Sequence, residues 1–553
     1  MVVEERHGLL RPPRPSTAYA ITVAFSCAIS GFLFGYDIGI IDSVLKMPSF
    51  LLYFGTGVFN TDTGSITETS SQADTDGNIV SSFLIGCVFG SMASSVLQDR
   101  FSRRRSILLG ALIFILGGIL QAMSINVVYL CIARAISGVS IGILSSVTPV
   151  YLAEVAPAEE RGRLVSIQQL MITIGILAAS LVNATLYSVY KNDSQWRVAL
   201  GIQALPAFFL VIAVYFLPYS PRWLMMQGRD KEALNVLSRL RGAPLDDKAV
   251  VDELQLIRDD VIAEGVGVGD KGSSWKEVLF GPQSAQVHMS IILQFFQQTT
   301  GINFILYFAA DLFARIGINR DLAATGLVIG NAALLIIGTL PAIWAVEKLG
   351  RRWLLITGAL TMAAAHIAVT SSLASESSTG AYFAISFVFV FTFAFSATWG
   401  PIVWVVQSET MPLRVRAKGG ALATTSNWVM NAIIGKACPL IVDKIEEYIY
   451  LMFAILCLLG GLYTYLCVPE TKGVALEDVA ALFKNKNTSV RTISGISTTS
   501  TSGIASSTSS SEMTTTRKDR VDVASKSRSY ATESIEVLSP LQSKAQVLST
   551  SHH

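Results

Sequence analysis

Twelve apolar runs of membrane-spanning length follow one another along this chain of 553 residues. A helix needs roughly 20 mostly apolar residues to cross a bilayer, and lipid admits only helices and closed barrels as spanning structures. The runs lie at 18–41, 79–97, 106–124, 128–152, 165–188, 196–217, 287–310, 322–345, 353–373, 381–407, 417–440 and 447–467. They predict an all-α membrane protein with twelve transmembrane helices, divided six and six by a polar stretch.

The composition excludes several classes of function. Charged residues make up 15% of the chain, well below the level of about 25% in soluble proteins. The formal net charge of +2 gives no sign of a nucleic-acid partner. The six cysteines lie in apolar runs without the spacing of metal or disulfide sites, the five histidines form no cluster, and no phosphate-binding Gly-x-x-x-x-Gly-Lys loop is present. We therefore expect neither an enzyme nor a bound cofactor or metal.

Basic loops follow the second and eighth runs, at 100–105 and 348–352. Cytoplasmic loops of membrane proteins carry an excess of Lys and Arg. We therefore expect these loops and both termini to lie in the cytosol. The apolar runs are expected to cross a lipid bilayer, most simply the plasma membrane. The predicted segments are a cytosolic N-terminus at 1–17, a six-helix bundle at 18–217, amphipathic cytosolic linker helices at 218–286, a second six-helix bundle at 287–467, and a cytosolic tail at 468–553 that is disordered from about 485.

The two halves share a repeat. Asp-Arg-Phe-Ser-Arg-Arg-Arg at 99–105 returns as Glu-Lys-Leu-Gly-Arg-Arg at 347–352. The pair Glu154 and Arg161 returns as Glu409 and Arg416. Because both motifs return after a similar number of residues, the sequence predicts a duplicated six-helix unit. An even number of helices in each copy gives the two copies the same orientation.

Four motifs occur in a fixed order: Gly-Phe-Leu-Phe-Gly-Tyr-Asp-Ile-Gly at 31–39, Pro-Tyr-Ser-Pro-Arg-Trp-Leu at 218–224, Gln-Gln-Thr-Thr-Gly-Ile-Asn at 297–303 and Pro-Glu-Thr-Lys-Gly at 469–473. With the loop repeats, they resemble the sugar porters of the major facilitator superfamily over about 18 to 480, most of all fungal-type hexose transporters. The resemblance implies two helical bundles, alternating access and a sugar site between the bundles near the middle of the membrane.

Three amides of the seventh run suit a monosaccharide. Hexose hydroxyls both donate and accept hydrogen bonds, so a dry site favours amide side chains, here Gln297, Gln298 and Asn303. The alternative is that these amides only join neighbouring helices. By the resemblance, Gln169 and Asn431 correspond to further sugar-binding positions, and Trp404 corresponds to the indole that packs on the sugar.

Two runs contain helix breakers where a gate would need them. Gly301 interrupts the seventh run, and Gly400 with Pro401 weakens the tenth, although both sites could be static kinks. By the resemblance, Tyr307 corresponds to an aromatic residue of the outer gate. Trp428, which lies near Trp404 in the pattern, is also expected to be a gating residue.

Asp37 places a carboxyl within the first run. Such a group costs about 2.5–3.5 kcal/mol on insertion scales unless it is paired or protonated, and its expected partner is Arg134 in the fourth run. Both match positions that resemble the proton-coupling pair of sugar symporters, so a proton is an expected second substrate. The alternative is a static salt bridge in a facilitator.

Charged residues at the cytosolic ends of the runs are expected to form a network that holds the inner side closed and breaks when that side opens. Their neighbours in sequence suggest the pairs Asp99 with Arg103 and Arg104, Glu154 with Arg161, Glu347 with Arg351 and Arg352, and Glu409 with Arg416; Arg222 and Glu470 complete the set. The basic members also set orientation by the positive-inside effect.

The chain departs from the family pattern at several positions. Tyr219 stands where a Glu is usual, Ser102 replaces the common Gly of the first basic loop, and Leu335 replaces an Asn that contacts sugar, although Asn331 lies one turn earlier. The expected function is transport of a glucose-like hexose by proton symport. The alternatives are a facilitative uniporter and a sugar receptor that signals through its C-terminal tail.

Overall fold

Long helices account for nearly all of the secondary structure in the computed structural model. The structure describes residues 18–60, 65–68, 72–266, 272–306, 326–375, 377–474, 476, 479 and 482–483. The first half contains the helices α1 Ala18–Leu45, α2 Pro48–Tyr53, α3 Gln72–Phe101, α4 Arg103–Ala122, α5 Val127–Val155, α6 Arg161–Val189, α7 Ser194–Gly201 and α8 Ala204–Phe216. The second half contains α13 Ser284–Gln298, α14 Val328–Leu349, α15 Arg351–Leu373, α16 Ser378–Ala397, α17 Trp399–Thr410, α18 Arg416–Ile445 and α19 Tyr448–Cys467.

Ten stretches of the described chain are long and apolar enough to cross a membrane. They correspond to every predicted run except the seventh and the eleventh. Of the seventh run, the structure describes α13 and a further turn at 302–306, and 307–325 lies outside the described residues. The eleventh run forms the 30-residue helix α18, whose Thr, Asn and Lys residues lower its hydropathy. The polarity of α18 follows from its position, because many of its polar side chains face protein rather than lipid.

Glycines allow the helices α3 and α5 of the first half to pack backbone against backbone. A Cβ on Gly86 or Gly90 of α3 would lie 2.2 or 2.0 Å from a carbonyl oxygen of α5. A Cβ on Gly138 or Gly142 of α5 would meet α3 in the same way, at 2.1 or 2.2 Å. Small residues spaced four apart are the usual means of close helix contact in membranes. α3 and α5 therefore form a closely packed pair.

The segment between α1 and α3 carries a short antiparallel hairpin. Its strands are β1 Gly57–Asn60 and β2 Ser65–Glu68, with Gly57 opposite Glu68. The preceding helix α2 packs on α7 through Phe50 and Trp196, whose ring centroids are 5.8 Å apart. This segment is therefore fixed to the first bundle.

Four short helices link the halves: α9 Pro221–Met226, α10 Asp230–Arg241, α11 Lys248–Ala263 and α12 Trp275–Phe280. The amphipathic pattern of α10 and α11 arises from a buried apolar stripe that includes Ala233, Leu237 and Ile257. Arg414, between α17 and α18, donates to Glu277 of α12 at 2.6 Å. This hydrogen bond lowers the pKa of the Glu277 carboxyl. The link is thus fastened to the second half by charge.

Candidate functional site

The seventh run breaks at residues 299–301. Helix α13 ends at Gln298, and helical bonding resumes when Ile305 N donates to the Gly301 carbonyl at 3.1 Å. Gly301 has φ +91°, and a Cβ there would lie 2.8 Å from the ring of Phe453. Only glycine fits both constraints without strain. The break turns Asn303 back toward Gln298, to which Asn303 Nδ2 donates a hydrogen bond.

Six buried amide side chains continue from Asn303 into the second half, and we call them the amide ladder: Asn303, Gln298, Asn427, Gln294, Gln407 and Gln297. Gln298 Nε2 donates to Asn427 Oδ1 at 2.8 Å. Asn427 Nδ2 donates to both Gln294 Oε1 at 2.6 Å and Gln297 Oε1 at 2.7 Å. Gln294 Nε2 then donates to Gln407 Oε1 at 2.5 Å. Every step of the ladder runs from an amide N–H to the next amide oxygen.

Backbone carbonyls fix the direction of the amide ladder. Gln407 Nε2 donates to the Gly420 carbonyl at 3.2 Å. Gln297 Nε2 donates to the carbonyls of Trp399 and Gly400 at 2.9 and 3.0 Å. A carbonyl oxygen only accepts hydrogen bonds, so Gln297 and Gln407 must each direct Nε2 toward these carbonyls. Reversing an amide between them would bring two acceptor oxygens face to face. The donors of Gln297 are fully used within the protein.

The first half supplies Gln169 to the same place. Gln169 of α6 has its Nε2 3.3 Å from the position that a Cβ on Gly400 would take. Gly400 also accepts from Gln297. The structure therefore brings Gln169 of the first half and Gln297 of the amide ladder to the same residue, Gly400. Within the described residues, the Gln169 amide and Asn303 Oδ1 make no hydrogen bond to protein and are not sealed from solvent.

The predicted aromatic and amide positions of α17 and α18 are all buried. Trp404 lies one turn beyond Gly400 and is 7% exposed. Trp428 is fully buried and reaches into the first half, where its Nε1 donates to Ser145 Oγ at 3.1 Å and its ring lies 5.0 Å from that of Phe34. Asn431, one turn after Asn427, is 1% exposed. None of these side chains faces lipid.

Three members of the amide ladder were not identified from the sequence. Gln294 lies three and four residues before Gln297 and Gln298, so helical spacing places all three on one face of α13. Asn427 lies four residues before Asn431, which is the same signal on α18. Gln407 carries no such signal, because its partners come from other helices. Pro401 lies in the first turn of α17, where a missing N–H is tolerated. Tyr307 lies outside the described residues.

Asp37 and Arg134 form a buried ion pair. Arg134 Nη1 donates to Asp37 Oδ1 at 2.8 Å, and both side chains are at most 1% exposed. The Arg134 guanidinium also lies 4.5 Å from the ring centroid of Phe83. Within the described residues, Asp37 Oδ2 makes no hydrogen bond. The pair predicted from sequence is therefore present, with one carboxylate oxygen left unbonded.

The charged residues at the basic ends of the helices form a network, but the pairs suggested by sequence proximity are largely wrong. Glu154 pairs with Arg103 at 3.0 Å and with Arg416 at 3.2 Å. Glu409 pairs with Arg351 at 2.8 Å. The reason is geometric, because the end of each helix faces a helix from elsewhere in the chain rather than its neighbour in sequence. Arg351 with Glu347, at 2.8 Å, is the pair identified correctly.

The remaining members of this network bind backbone groups. Arg104 donates to the Tyr215 carbonyl at 2.6 Å, and Arg352 donates to the Tyr465 carbonyl at 2.5 Å. Both bonds cap the C-terminal end of a helix, and they repeat the symmetry of the two halves. Further contacts are Arg161 to the Ala153 carbonyl, Arg222 to the Glu154 carbonyl and Glu470 from the backbone N–H groups of Arg351 and Arg352; Asp99 lies near the end of α3.

Contacts between the halves close this side of the molecule. Besides the bond from Arg416 to Glu154, the Gly162 N–H of α6 donates to Glu347 Oε1 of α14 at 2.8 Å. A Cβ on Gly162 would lie 2.7 Å from Arg351 Nη2. The halves therefore touch directly where their basic loops lie.

The sequence matches a known family over most of its length. The model of "Sugar (and other) transporter" proteins matches residues 23–483. The chain belongs to the sugar transporter family. The transporters of this family are not enzymes, and the family has the twelve-helix major facilitator fold predicted from the sequence.

Relatives and solved structures agree with this assignment. The probable glucose transporter rco-3 of Neurospora crassa is 34% identical over 85% of this chain and 80% of its own length. The high glucose sensor RGT2 of Saccharomyces cerevisiae is 33% identical over 88% of this chain and 64% of its own length. The proton:xylose symporter XylE of E. coli, solved with 6-bromo-6-deoxy-D-glucose, has a TM-score of 0.75 and 27% identity over 84% of this chain and 99% of that one.

Proposed function

We propose that this family member moves a glucose-like hexose across the plasma membrane by alternating access, in symport with protons. In this proposal both termini lie in the cytosol, and the segments 18–217 and 287–467 are the two moving bundles, joined by 218–286. The observation that carries the proposal is the arrangement of amides around Gly400. One half supplies Gln169 next to Gly400, and the other supplies Gln297, which bonds to the Gly400 carbonyl and is joined through the amide ladder to Gln298 and Asn303. The Gln169 amide and Asn303 Oδ1 make no hydrogen bond to another described residue.

Unused donors and acceptors suit a neutral polyol. The Gln169 amide and Trp404 Nε1 offer donors, and Asn303 Oδ1 offers an acceptor, since none of them bonds to another described residue. The indole of Trp404 also offers an apolar face for the C–H side of a sugar ring. Asn431 completes the proposed sugar contacts, and the names of the relatives above support glucose as the first substrate to test.

Uptake of radiolabelled glucose in a transporter-null cell tests this proposal. We expect saturable uptake by the full chain, and Gln298→Leu should lower it at least tenfold because one amide then contributes no hydrogen bond and the ladder loses a member. Gln121→Leu is the matched control, since Gln121 is an equally buried amide that bonds to Ser137 within the first half. Equal loss in both variants, or no uptake by the full chain, would contradict the proposal.

Proton coupling rests on the Asp37 carboxyl. Arg134 holds Oδ1, and Oδ2 makes no hydrogen bond within the described residues, which leaves a position where a proton could be carried. A change of conformation that moves Arg134 away would favour the protonated form. In vesicles, an inward proton gradient should drive accumulation, and Asp37→Asn should retain exchange but abolish accumulation. A uniporter would show uptake indifferent to the gradient in both proteins.

A sensor role is the second candidate, favoured by the similarity to RGT2. A sensor would bind glucose without moving it in quantity. The same uptake assay separates the two functions, when it is paired with glucose binding to the purified chain. Binding in the micromolar to millimolar range with negligible uptake would identify a sensor, and turnover would identify a transporter.

A further inference from the structure

The break in the seventh run leaves the backbone carbonyl of Thr300 outside the regular hydrogen bonding of a helix. Residues 299–301 lie between α13 and the turn at 302–306. Thr300 is 1% exposed, so its carbonyl cannot be hydrated. An unpaired buried carbonyl is costly, so some other group must bond to it.

His366 of α15 provides that bond. Its Nε2 lies 2.9 Å from the Thr300 carbonyl oxygen, and the imidazole is fully buried. Because a carbonyl only accepts, Nε2 carries the hydrogen in this contact. The Cys457 thiol is a second donor to the same oxygen, at 3.9 Å. An S–H group is a weak donor, so the imidazole dominates.

Aromatic rings hold the imidazole in place. Its centroid is 4.3 Å from that of Phe391 and 5.8 Å from those of Tyr450 and Phe453. The Phe453 ring also packs on Gly301, where a Cβ would approach to 2.8 Å. The cluster of His366 and its neighbouring rings therefore contacts both the Thr300 carbonyl and Gly301.

We propose that His366 is a positioning residue for sugar binding, which sets the break of the seventh helix so that Asn303 faces the site. Asn303 lies three residues after Thr300 and donates to Gln298. A displaced Thr300 carbonyl would rotate that turn and take the Asn303 amide out of register. His366 itself bonds to the backbone carbonyl of Thr300 and acts on Asn303 through that backbone. The inference deepens the proposed function and rests on it, because it concerns the same sugar.

Two substitutions separate this role from simple packing. In His366→Gln, the amide Nε2 can occupy the place of imidazole Nε2 and donate to Thr300. In His366→Asn, the shorter side chain cannot reach that oxygen, although it is equally polar. We expect the equilibrium Kd for glucose, measured with the purified full chain in lipid nanodiscs, to stay within about twofold for His366→Gln and to rise about five- to tenfold for His366→Asn, the cost of one hydrogen bond.

A double variant tests whether the effect passes through Asn303. Asn303→Ala alone should weaken glucose binding, and adding His366→Asn should change the Kd by less than about twofold further, since the positioned group is already absent. Asn183→Leu is the control, because Asn183 also donates from a buried side chain to a backbone carbonyl, that of Ile40, at 3.0 Å. It should lower thermal stability and leave the Kd unchanged.

The outcomes are distinct. Equal Kd values for His366→Gln and His366→Asn, or full additivity with Asn303→Ala, would overturn the role of His366 while the proposed function stands. A wild-type chain that binds no glucose would remove the proposed function, and the inference with it. Rescue by glutamine alone, together with non-additivity, supports the inference.

Discussion

Ser102 adopts a backbone conformation that only glycine tolerates well. It has φ +83° and ψ 159° at the start of α4, and Gly350 has nearly the same values, φ +89° and ψ 161°, at the start of α15. The two positions are equivalent in the repeat, and the second of them is glycine. A non-glycine residue in this region stores about 1–3 kcal/mol of strain.

We expect Ser102→Gly to stabilise the protein by about 1 kcal/mol, since relief of strain exceeds the entropy cost of glycine and the weak cap bond to Arg105 N at 3.4 Å. Thermal unfolding in detergent measures the change. Gly350→Ala is the opposite control, because its Cβ would lie 2.5 Å from Glu470 Oε2 and should destabilise. A lower melting temperature for Ser102→Gly would show that the strain is not real.

Gly301 offers a second prediction at a single residue. Gly301→Ala should reduce glucose uptake at least tenfold, because the added methyl group meets the Phe453 ring and φ +91° strains an alanine. Gly55→Ala is the matched control, with φ +71° and open space around its Cβ. Uptake normalised to surface protein should separate them. Equal uptake in the two variants would mean that the seventh helix tolerates a different break.

The sequence alone was sufficient for single residues whose chemistry is unusual in lipid. Asp37 and Arg134 were paired correctly because a membrane leaves an isolated charge few alternatives. Gln407 was missed, since its partners Gln294 and Gly420 come from helices that only the tertiary structure brings together. The inner ion pairs were misassigned for the same reason.

Among the elements, α13, α17 and α18 are joined by the amide ladder. Gln294 of α13 is fully buried and donates to Gln407 of α17, which is 2% exposed. Removing one partner leaves a buried amide unsatisfied, which costs about 1–3 kcal/mol. Removing both leaves fewer orphan groups than the sum of the single changes.

We therefore expect Gln294→Met and Gln407→Met each to destabilise the protein by about 1–3 kcal/mol, and the double variant to cost less than their sum. Thermal unfolding of the two single variants and the double variant measures the coupling free energy between Gln294 and Gln407. Gln294→Met combined with Gln121→Met is the control, and its effects should add because Gln121 bonds to Ser137 of the first half, away from the amide ladder. Additivity in both pairs would argue against a shared ladder.

Helix positions were predictable because twelve apolar runs leave the backbone few alternatives to spanning helices. The eleventh run was identified in spite of its polarity, and it forms α18. The close contact of α3 with α5 could have been read from Gly86, Gly90, Gly138 and Gly142, which have the spacing of membrane packing motifs.

At the scale of the whole molecule, the halves meet through Glu154 and Arg416 on the side of the basic loops. We expect Arg416→Gln to shift the population toward a state open on that side by about tenfold, since it removes one charge-assisted bond between the halves. Spin labels at Glu159→Cys and Leu349→Cys, with the exposed Cys467 replaced by Ser, would report the separation as a distance distribution.

Arg163→Gln is the matched control for this measurement. Arg163 pairs with Glu160 of its own half at 3.0 Å, and both side chains are about one-third exposed. Its loss should leave the distance distribution unchanged. A similar widening in both variants would show that net charge, rather than the contact between halves, controls the population.

Glu154 is shared by two arginines, and this arrangement affects how readily the molecule can cycle. Arg103, on its own half, and Arg416, on the other, both bond to Oε1. When the halves part, the carboxylate loses one cation and keeps the other, so no bare anion is stranded in a dry interior. The contact between the halves can therefore be released and re-formed at low energetic cost, which the alternating access proposed above requires.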